Sequence, residues 1–250
     1  MKQHVYGLCC LLAWLLTACH HAPRQLTVEV LNSYTPVKER AEGEHDWTYA
    51  MLATIETEHI GRGDSVNLSA RYVEAMYKKS SINHSPSSII NSPLSIINSP
   101  LSIINSPLSI INSPLSIVLL HMQQYGVVPY DAMPPGYDPP RYAFFLGCEY
   151  TPQEFARSVC APGEYRLMTA DDYPAETLLA TAEQAVRQHH GVCWAGKERC
   201  LSIVGIAHDE QAQKYFIMKD SQGESHGDHG LVYLSFDTFL EETITIALSH

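Results

Sequence analysis

The chain has 250 residues, 17% of them charged, and its formal net charge is -11. Because an acidic chain without a stripe of basic and aromatic residues is not typical of nucleic-acid-binding proteins, we expect no nucleic-acid partner. Subtracting an N-terminal signal and an internal repeat leaves about 190 residues, which is enough for one domain with a sizeable core.

Residues 1–18 have the features of a bacterial lipoprotein signal peptide. Lys2 precedes an apolar run from Val5 to Leu16 that is too short to span a membrane as a helix. The run leads into Leu16-Thr17-Ala18-Cys19, which resembles a lipobox. We therefore predict an exported protein of the cell envelope that is anchored to a membrane through lipid on Cys19. The alternative is an ordinary signal peptide that is cleaved elsewhere.

Four cysteines remain after Cys19, and the sequence does not decide their state. Cys148, Cys160, Cys193 and Cys200 allow three disulfide pairings in an oxidising compartment. Four unpaired buried thiols are the alternative, because a domain of this size does not need disulfides for stability.

Residues 19–250 are predicted to form a single domain, interrupted by a seven-residue repeat over residues 81–117. The unit Ser-Ile-Ile-Asn-Ser-Pro-Leu recurs almost unchanged from Ser88 to Ser116. A proline in every period excludes a coiled coil, because each one removes a helical hydrogen bond. We predict an irregular insertion rather than a solenoid.

Helical patterns dominate the first part of the chain and strand patterns the last part. Apolar spacing predicts helices at Trp47 to Ile60, Asn67 to Lys79, Leu119 to Gln124, from Thr151 onward, and at Ala175 to His189. Alternation then predicts four antiparallel strands, at Cys200 to Ile206, Lys214 to Lys219, Leu231 to Phe236 and Thr243 to Ser249. Helices first and strands last predict an α+β domain.

Several segments resemble the papain-like cysteine peptidases, specifically their aminopeptidase C/bleomycin hydrolase branch. They are, in order, Pro36-Val37-Lys38 with the Trp47 helix and its Ala53-Thr54-Ile55-Glu56; Asn67-Leu68-Ser69-Ala70-Arg71-Tyr72-Val73; Tyr125-Gly126-Val127-Val128-Pro129; Tyr150-Thr151-Pro152-Gln153-Glu154-Phe155-Ala156; and Ile203-Val204-Gly205-Ile206-Ala207 with Lys214 to Gly223. The resemblance implies a papain-like fold with a helical N-terminal half and a C-terminal antiparallel sheet.

The resemblance also implies that the catalytic positions are substituted. Asp46 stands at the position of the nucleophilic cysteine and Arg199 at that of the general-base histidine. Asp220 matches the orienting asparagine, and Arg40 the oxyanion glutamine. A carboxylate cannot form the family's thioester, and an arginine does not give up a proton near neutral pH. No histidine is predicted at the site.

The replacements suggest a hypothesis about charge. We expect Asp46, Arg199 and Asp220 to form a salt-bridged network across the former catalytic cleft, joined by Arg40. Solvated, unconnected side chains are the alternative. No cofactor and no metal is predicted, because His226, Asp228 and His229 lie in a glycine-rich stretch typical of a surface loop.

The predicted function is therefore non-catalytic, a peptide- or protein-binding module with membrane attachment through its lipid. Two alternatives stay open. One is an active cysteine peptidase with a relocated nucleophile, for which Cys193 and Cys200 are the candidates. The other is a decaying peptidase gene, which the repeat favours.

Overall fold

The computed structural model describes residues 25–64, 66–83, 113–133, 143–145, 148–150 and 165–249. A strand, β1 (Thr27–Leu31), precedes the helical half. That half contains α1 (Asp46–Gly61), α2 (Ala70–Asn83) and α3 (Pro114–Tyr125), with a 3-10 turn at Tyr130–Ala132.

The second half is built around an antiparallel sheet. Its strands are β4 (Tyr165–Thr169), β5 (Val192–Gly196), β6 (Cys200–His208), β7 (Lys214–Lys219), β8 (Leu231–Ser235) and β9 (Thr243–Ser249). The order across the sheet is β4-β9-β5-β6-β7-β8, and β1 also pairs with β6. A separate pair joins β2 (Ala143–Phe145) to β3 (Cys148–Tyr150).

Both faces of the central strands are covered. In β5, Cys193 belongs to the core shared with α1 and α3, whereas its neighbour Trp194 belongs to the core on the opposite face. That second core is completed by α4 (Ala175–Arg187) and α5 (Phe236–Glu242). The predicted α+β fold with helices before the sheet is confirmed.

Helix α1 lies directly against the sheet. Gly191 makes this possible, because a Cβ there would lie 2.4 Å from the carbonyl oxygen of Thr54. The Thr54 hydroxyl also hydrogen-bonds the Ser202 hydroxyl of β6 at 2.9 Å. These contacts bring the first residue of α1, Asp46, beside the first residue of β6, Cys200.

The last repeat copy begins a helix instead of remaining irregular. Ser113 is the N-cap of α3 and its side chain accepts a hydrogen bond from the Ser116 N–H at 3.2 Å. Pro114 occupies the first helical position, where the proline lacks only an N–H that the helix would not have used. The predicted start at Leu119 was therefore five residues too late.

Other predictions have mixed outcomes. The strands at Lys214–Lys219 and Thr243–Ser249 have the predicted bounds, whereas β1, β4 and β5 were not predicted. The signal peptide, Cys19, residues 84–112 of the repeat and the helix predicted from Thr151 lie outside the described residues. No helix in the described ranges has the length and apolar character needed to cross a membrane.

A buried charged cluster connects α1 to the segments on either side of it. Glu56 is fully buried and accepts hydrogen bonds from Thr35, from the Lys38 ammonium and, at 2.6 Å, from the Leu68 N–H. The Lys219 ammonium at the end of β7 lies 3.8 Å from the Glu56 carboxylate and donates to the Thr35 hydroxyl at 2.7 Å. One carboxylate therefore holds the two segments that lead to Arg40 and Asp220.

Replacing Glu56 is expected to be severely destabilising. Glu56→Gln leaves two buried ammonium groups without a counter-charge, and such a loss typically costs about 3–5 kcal/mol. Glu183→Gln is the matched control, because Glu183 also pairs with two cations but its side chain is 22% exposed. Urea unfolding measures both. A Glu56→Gln loss no larger than that of Glu183→Gln would contradict the assigned role.

Burial also predicts an unusual pH dependence of stability. It lowers the pKa of Lys219 from 10.5 to about 8, an effect that the Glu56 charge partly offsets and the Lys38 charge adds to. Between these two pH values the unfolded chain binds more protons at this lysine than the folded chain does. The contribution of Lys219 to the free energy of unfolding therefore rises with pH, by about 1–3 kcal/mol.

The measurement is urea unfolding of the wild type and Lys219→Met from pH 7 to 11. The wild-type value minus the variant value is expected to rise with pH, since contributions from other groups cancel in the difference. Lys214→Met, on the same strand but 41% exposed, is the control and is expected to show a flat difference. A flat difference for Lys219→Met would refute the prediction.

Candidate functional site

The four predicted site residues come from three neighbouring parts of the fold. Asp46 begins α1, and Arg199 directly precedes β6. Asp220 directly follows β7. The segment of Arg40 runs alongside the segment after Asp220, because the Arg40 N–H donates to the Ser221 carbonyl at 2.7 Å and Glu39 forms an isolated bridge with Gln222.

Arg199 and Asp220 form an ion pair. Their Nη2 and Oδ2 atoms are 2.5 Å apart, with the Arg199 side chain 37% exposed and the Asp220 side chain 3% exposed. The other oxygen of Asp220 accepts the Ser221 N–H at 2.6 Å. The turn before Arg199 is closed by a hydrogen bond from the Gly196 N–H to the Arg199 carbonyl at 2.9 Å. The guanidinium is thus held at a fixed place on a buried carboxylate.

Asp46 is engaged differently from our prediction. Its Oδ2 accepts the backbone N–H of Cys200 at 2.8 Å, and its place at the start of α1 suits a negative charge. Within the described ranges no ion pair joins Asp46 to Arg199, and Arg40 donates to the Glu44 carbonyl at 2.8 Å instead of joining a network. The Arg199–Asp220 link was predicted correctly, and the other links were wrong because a backbone N–H competes for the Asp46 carboxylate.

The structure adds a histidine that sequence reasoning missed. His226 Nε2 lies 3.5 Å from Asp220 Oδ2, so this carboxylate faces both an arginine and an imidazole. The loop folds back because the Gly230 N–H donates to the His226 carbonyl at 2.8 Å and Gly227 adopts a φ of +59°, where a Cβ would lie 2.2 Å from the Leu231 oxygen. The interleaved glycines were a signal for this tight turn, but not for the side chain that it presents.

Two cysteines near the site are poor nucleophiles. Cys193 and Cys200 are free and buried. Burial, with a further contribution from each thiol's negatively charged surroundings, raises the pKa of both above its usual range. Both therefore stay protonated at neutral pH, whereas the nucleophile of a cysteine peptidase is a thiolate. With these two unpaired, Cys148 and Cys160 are the remaining disulfide candidates, and their side chains lie outside the described residues.

A second histidine–carboxylate pair supports the start of α1. The buried Glu74 lies 3.0 Å from His45 Nδ1 and accepts the Thr48 hydroxyl at 2.5 Å and the His45 N–H at 3.1 Å. The His45 ring stacks on Trp47 with the ring centroids 4.4 Å apart. Glu74 thus satisfies donors at the helix N-terminus, where backbone N–H groups lack partners inside the helix.

Neither a metal site nor a deep pocket is found in the described ranges. They contain no group of three or more histidine, cysteine or acidic side chains suited to a metal ion, and Asp228 accepts the Tyr233 hydroxyl at 2.8 Å. A cavity of about 10 Å³ lies among Lys38, Glu56, Cys200, Lys219, Asp220 and Ser221. That volume is about the space of one water molecule, so a larger ligand at this site has to bind at the surface.

Double-mutant cycles test this arrangement of charges. Arg199→Ala and Asp220→Ala are expected to couple by about 0.5–3 kcal/mol, because the two side chains are in direct contact. Asp46→Ala and Arg199→Ala are expected to couple more weakly, since Asp46 is bonded to a backbone N–H. The free energies of unfolding in urea give both coupling energies. Equal coupling in the two cycles would contradict the geometry.

Comparison with known proteins identifies the fold. No protein-family model matches the chain, and no curated protein matches it in sequence. Three solved structures match most of it. PepW from Lactobacillus rhamnosis HN001 matches with a TM-score of 0.61 and 12% identity, over 89% of this chain and 82% of that one. Digestive procathepsin L 3 from the larval midgut of Tenebrio molitor matches with a TM-score of 0.56 and 16% identity, over 92% and 72%.

The third is the bromelain protease from Ananas comosus in complex with the E64 inhibitor, with a TM-score of 0.51 and 13% identity, over 91% of this chain and 99% of that one. The similarity thus extends along nearly the whole chain, although its identity is low. The chain has the papain-like cysteine-peptidase fold, an α+β fold with a helical half before an antiparallel sheet.

Proposed function

We propose that the chain is an exported, lipid-anchored pseudo-peptidase, a papain-like module that binds peptides or proteins without cleaving them. One observation carries the non-catalytic part of this proposal. The carboxylate of Asp46 stands at the first residue of α1, bonded to the Cys200 N–H, where the sequence resemblance assigns the catalytic cysteine.

The neighbouring residues support the same conclusion. Cysteine-peptidase chemistry needs a thiolate nucleophile and an imidazolium that passes its proton to the leaving amine. Arg199, at the assigned histidine position, is ion-paired with Asp220 and stays protonated. His226 lies on the far side of the chemistry, because it faces the Asp220 carboxylate instead of a thiol. Nucleophile and general base are therefore both absent from their assigned positions.

The position of the lipid anchor follows from the sequence alone. Leu16-Thr17-Ala18-Cys19 is the segment that supports lipidation, and acyl chains on Cys19 would hold the domain at a membrane surface. A binding module tethered in this way meets its partners at that surface. Peptides or proteins are the proposed partners because the fold's cleft is suited to extended chains.

Hydrolysis of a mixed peptide library by the purified full chain tests the proposal. We expect no cleavage above the level of the buffer, with or without a thiol alkylating agent, while bromelain cleaves the same library as the positive control. Loss of the nucleophile or base alone costs several powers of ten in rate. Cleavage that the alkylating agent abolishes would refute the proposal and favour a relocated nucleophile at Cys148 or Cys160.

A restored variant provides the matched control for the assigned positions. It combines Arg40→Gln, Asp46→Cys, Arg199→His and Asp220→Asn, and we expect it to gain alkylation-sensitive cleavage. Asp46→Cys alone is expected to stay inactive, because Arg199 cannot act as general base. A folded fourfold variant without activity would count against the assigned correspondence, whereas aggregation of the wild-type chain would favour a decaying gene.

A further inference from the structure

We propose that Arg199 and His226, both held by Asp220, form a binding site for the C-terminal carboxylate of a peptide. This inference rests on the proposed function, because it names the chemical class of ligand that the module would bind. It concerns the side of the cleft formed by the sheet, where three charged side chains meet at one buried oxygen.

Arg199 is positioned to bind an anion. Its guanidinium has five N–H donors, and within the described part of the chain its partner is Asp220 alone. The side chain is 37% exposed, so the remaining donors face solvent. Because Asp220 fixes the guanidinium before a ligand arrives, little side-chain entropy is lost on binding. A planar fork of N–H groups matches the two oxygens of a carboxylate.

His226 supplies a second donor from the neighbouring loop. Its Nε2 faces Asp220 at 3.5 Å, and its side chain is 41% exposed. Nδ1 has no hydrogen-bond partner among the described residues, and in the protonated ring it is a donor. The glycine turn that ends at Gly230 keeps the ring beside Arg199.

The local charge favours a small anion over a polyanion. Asp220 carries one negative charge, whereas Arg199 and a protonated His226 carry two positive charges. Arg40 adds a third cation close by, through its backbone bond to Ser221 and its bond to the Glu44 carbonyl, which leaves its charge unpaired by that contact. The chain as a whole has a net charge of -11, which repels long anionic polymers. A single terminal carboxylate fits both conditions.

Asp46 defines the other limit of the site. Its carboxylate is bonded to the Cys200 N–H and so does not neutralise Arg199. As a negative group beside the site, it disfavours a ligand with a second acidic group next to its terminal carboxylate. It is also able to accept a backbone N–H from the same peptide, so a peptide end with a single carboxylate is the expected ligand.

Paired peptide libraries test the proposal. N-acetylated hexapeptides of mixed sequence are made once with a free C-terminal carboxylate and once with a C-terminal amide, and are applied to the immobilised full chain. Mass spectrometry measures the retained peptides and any cleavage products. We expect the acids to be retained about tenfold better than the amides, as one charge-assisted hydrogen bond predicts.

Variants then assign the preference to the site. Arg199→Gln/Asp220→Asn removes the cation without leaving an unpaired buried carboxylate, and it is expected to abolish the preference for acids. His226→Gln is expected to reduce it. Arg187→Gln is the matched control, because Arg187 is 38% exposed and pairs with Glu29 and Glu183 elsewhere. Thermal unfolding verifies that each variant is folded.

The outcomes separate this inference from the proposed function. Equal retention of acids and amides overturns the carboxylate site but leaves the binding module standing. Retention of neither library overturns both. Cleavage products refute the pseudo-peptidase, while the acid preference of the intact peptides still decides the carboxylate site. An acid preference that survives in Arg199→Gln/Asp220→Asn also overturns the assignment.

Discussion

The structure depends on one buried carboxylate, that of Glu56. It accepts hydrogen bonds from the segment before α1, through Thr35 and Lys38, and from the segment after α1, through the Leu68 N–H. Lys219 connects the same cluster to the end of β7. Burying these charges has a high desolvation cost, which is offset only if every partner stays in place. The cluster therefore makes the positions of Arg40, Asp46 and Asp220 dependent on one another, although none of the three contacts Glu56 directly.

The close approach of α1 to the sheet then determines which groups meet in the cleft. Gly191 allows the helix backbone to lie against β5, and the hydrogen bond between Thr54 and Ser202 sets its height along β6. At that height the first carboxylate of the helix reaches the Cys200 N–H. A thiol at the same place could not form so strong a bond to a backbone N–H, since thiols are weak acceptors. The carboxylate thus stabilises the helix start where the family's fold would place a reactive group.

Sequence patterns predicted the parts of the fold whose periodicity is simple. The helix from Trp47 and the strands at Lys214–Lys219 and Thr243–Ser249 were found in this way. Strand β5 was missed because all five of its residues are buried, so it lacks the alternation that marks a half-exposed strand. The Arg199–Asp220 pair was predictable from complementary charge at neighbouring assigned positions. His226 was not, because a loop of glycines has no period from which the direction of a side chain can be inferred.

Asp220 shows how a substituted catalytic site can acquire a different chemistry. An asparagine at this position orients an imidazole by a neutral hydrogen bond, whereas a buried aspartate brings a full charge that needs cations around it. Arg199 meets that need on one side and His226 on the other. Both cations are half exposed, so the charge that stabilises the buried carboxylate is also presented to solvent. The same substitutions that remove proton transfer therefore produce a fixed cationic surface, and a surface of that kind is suited to binding an anion, not to breaking a bond.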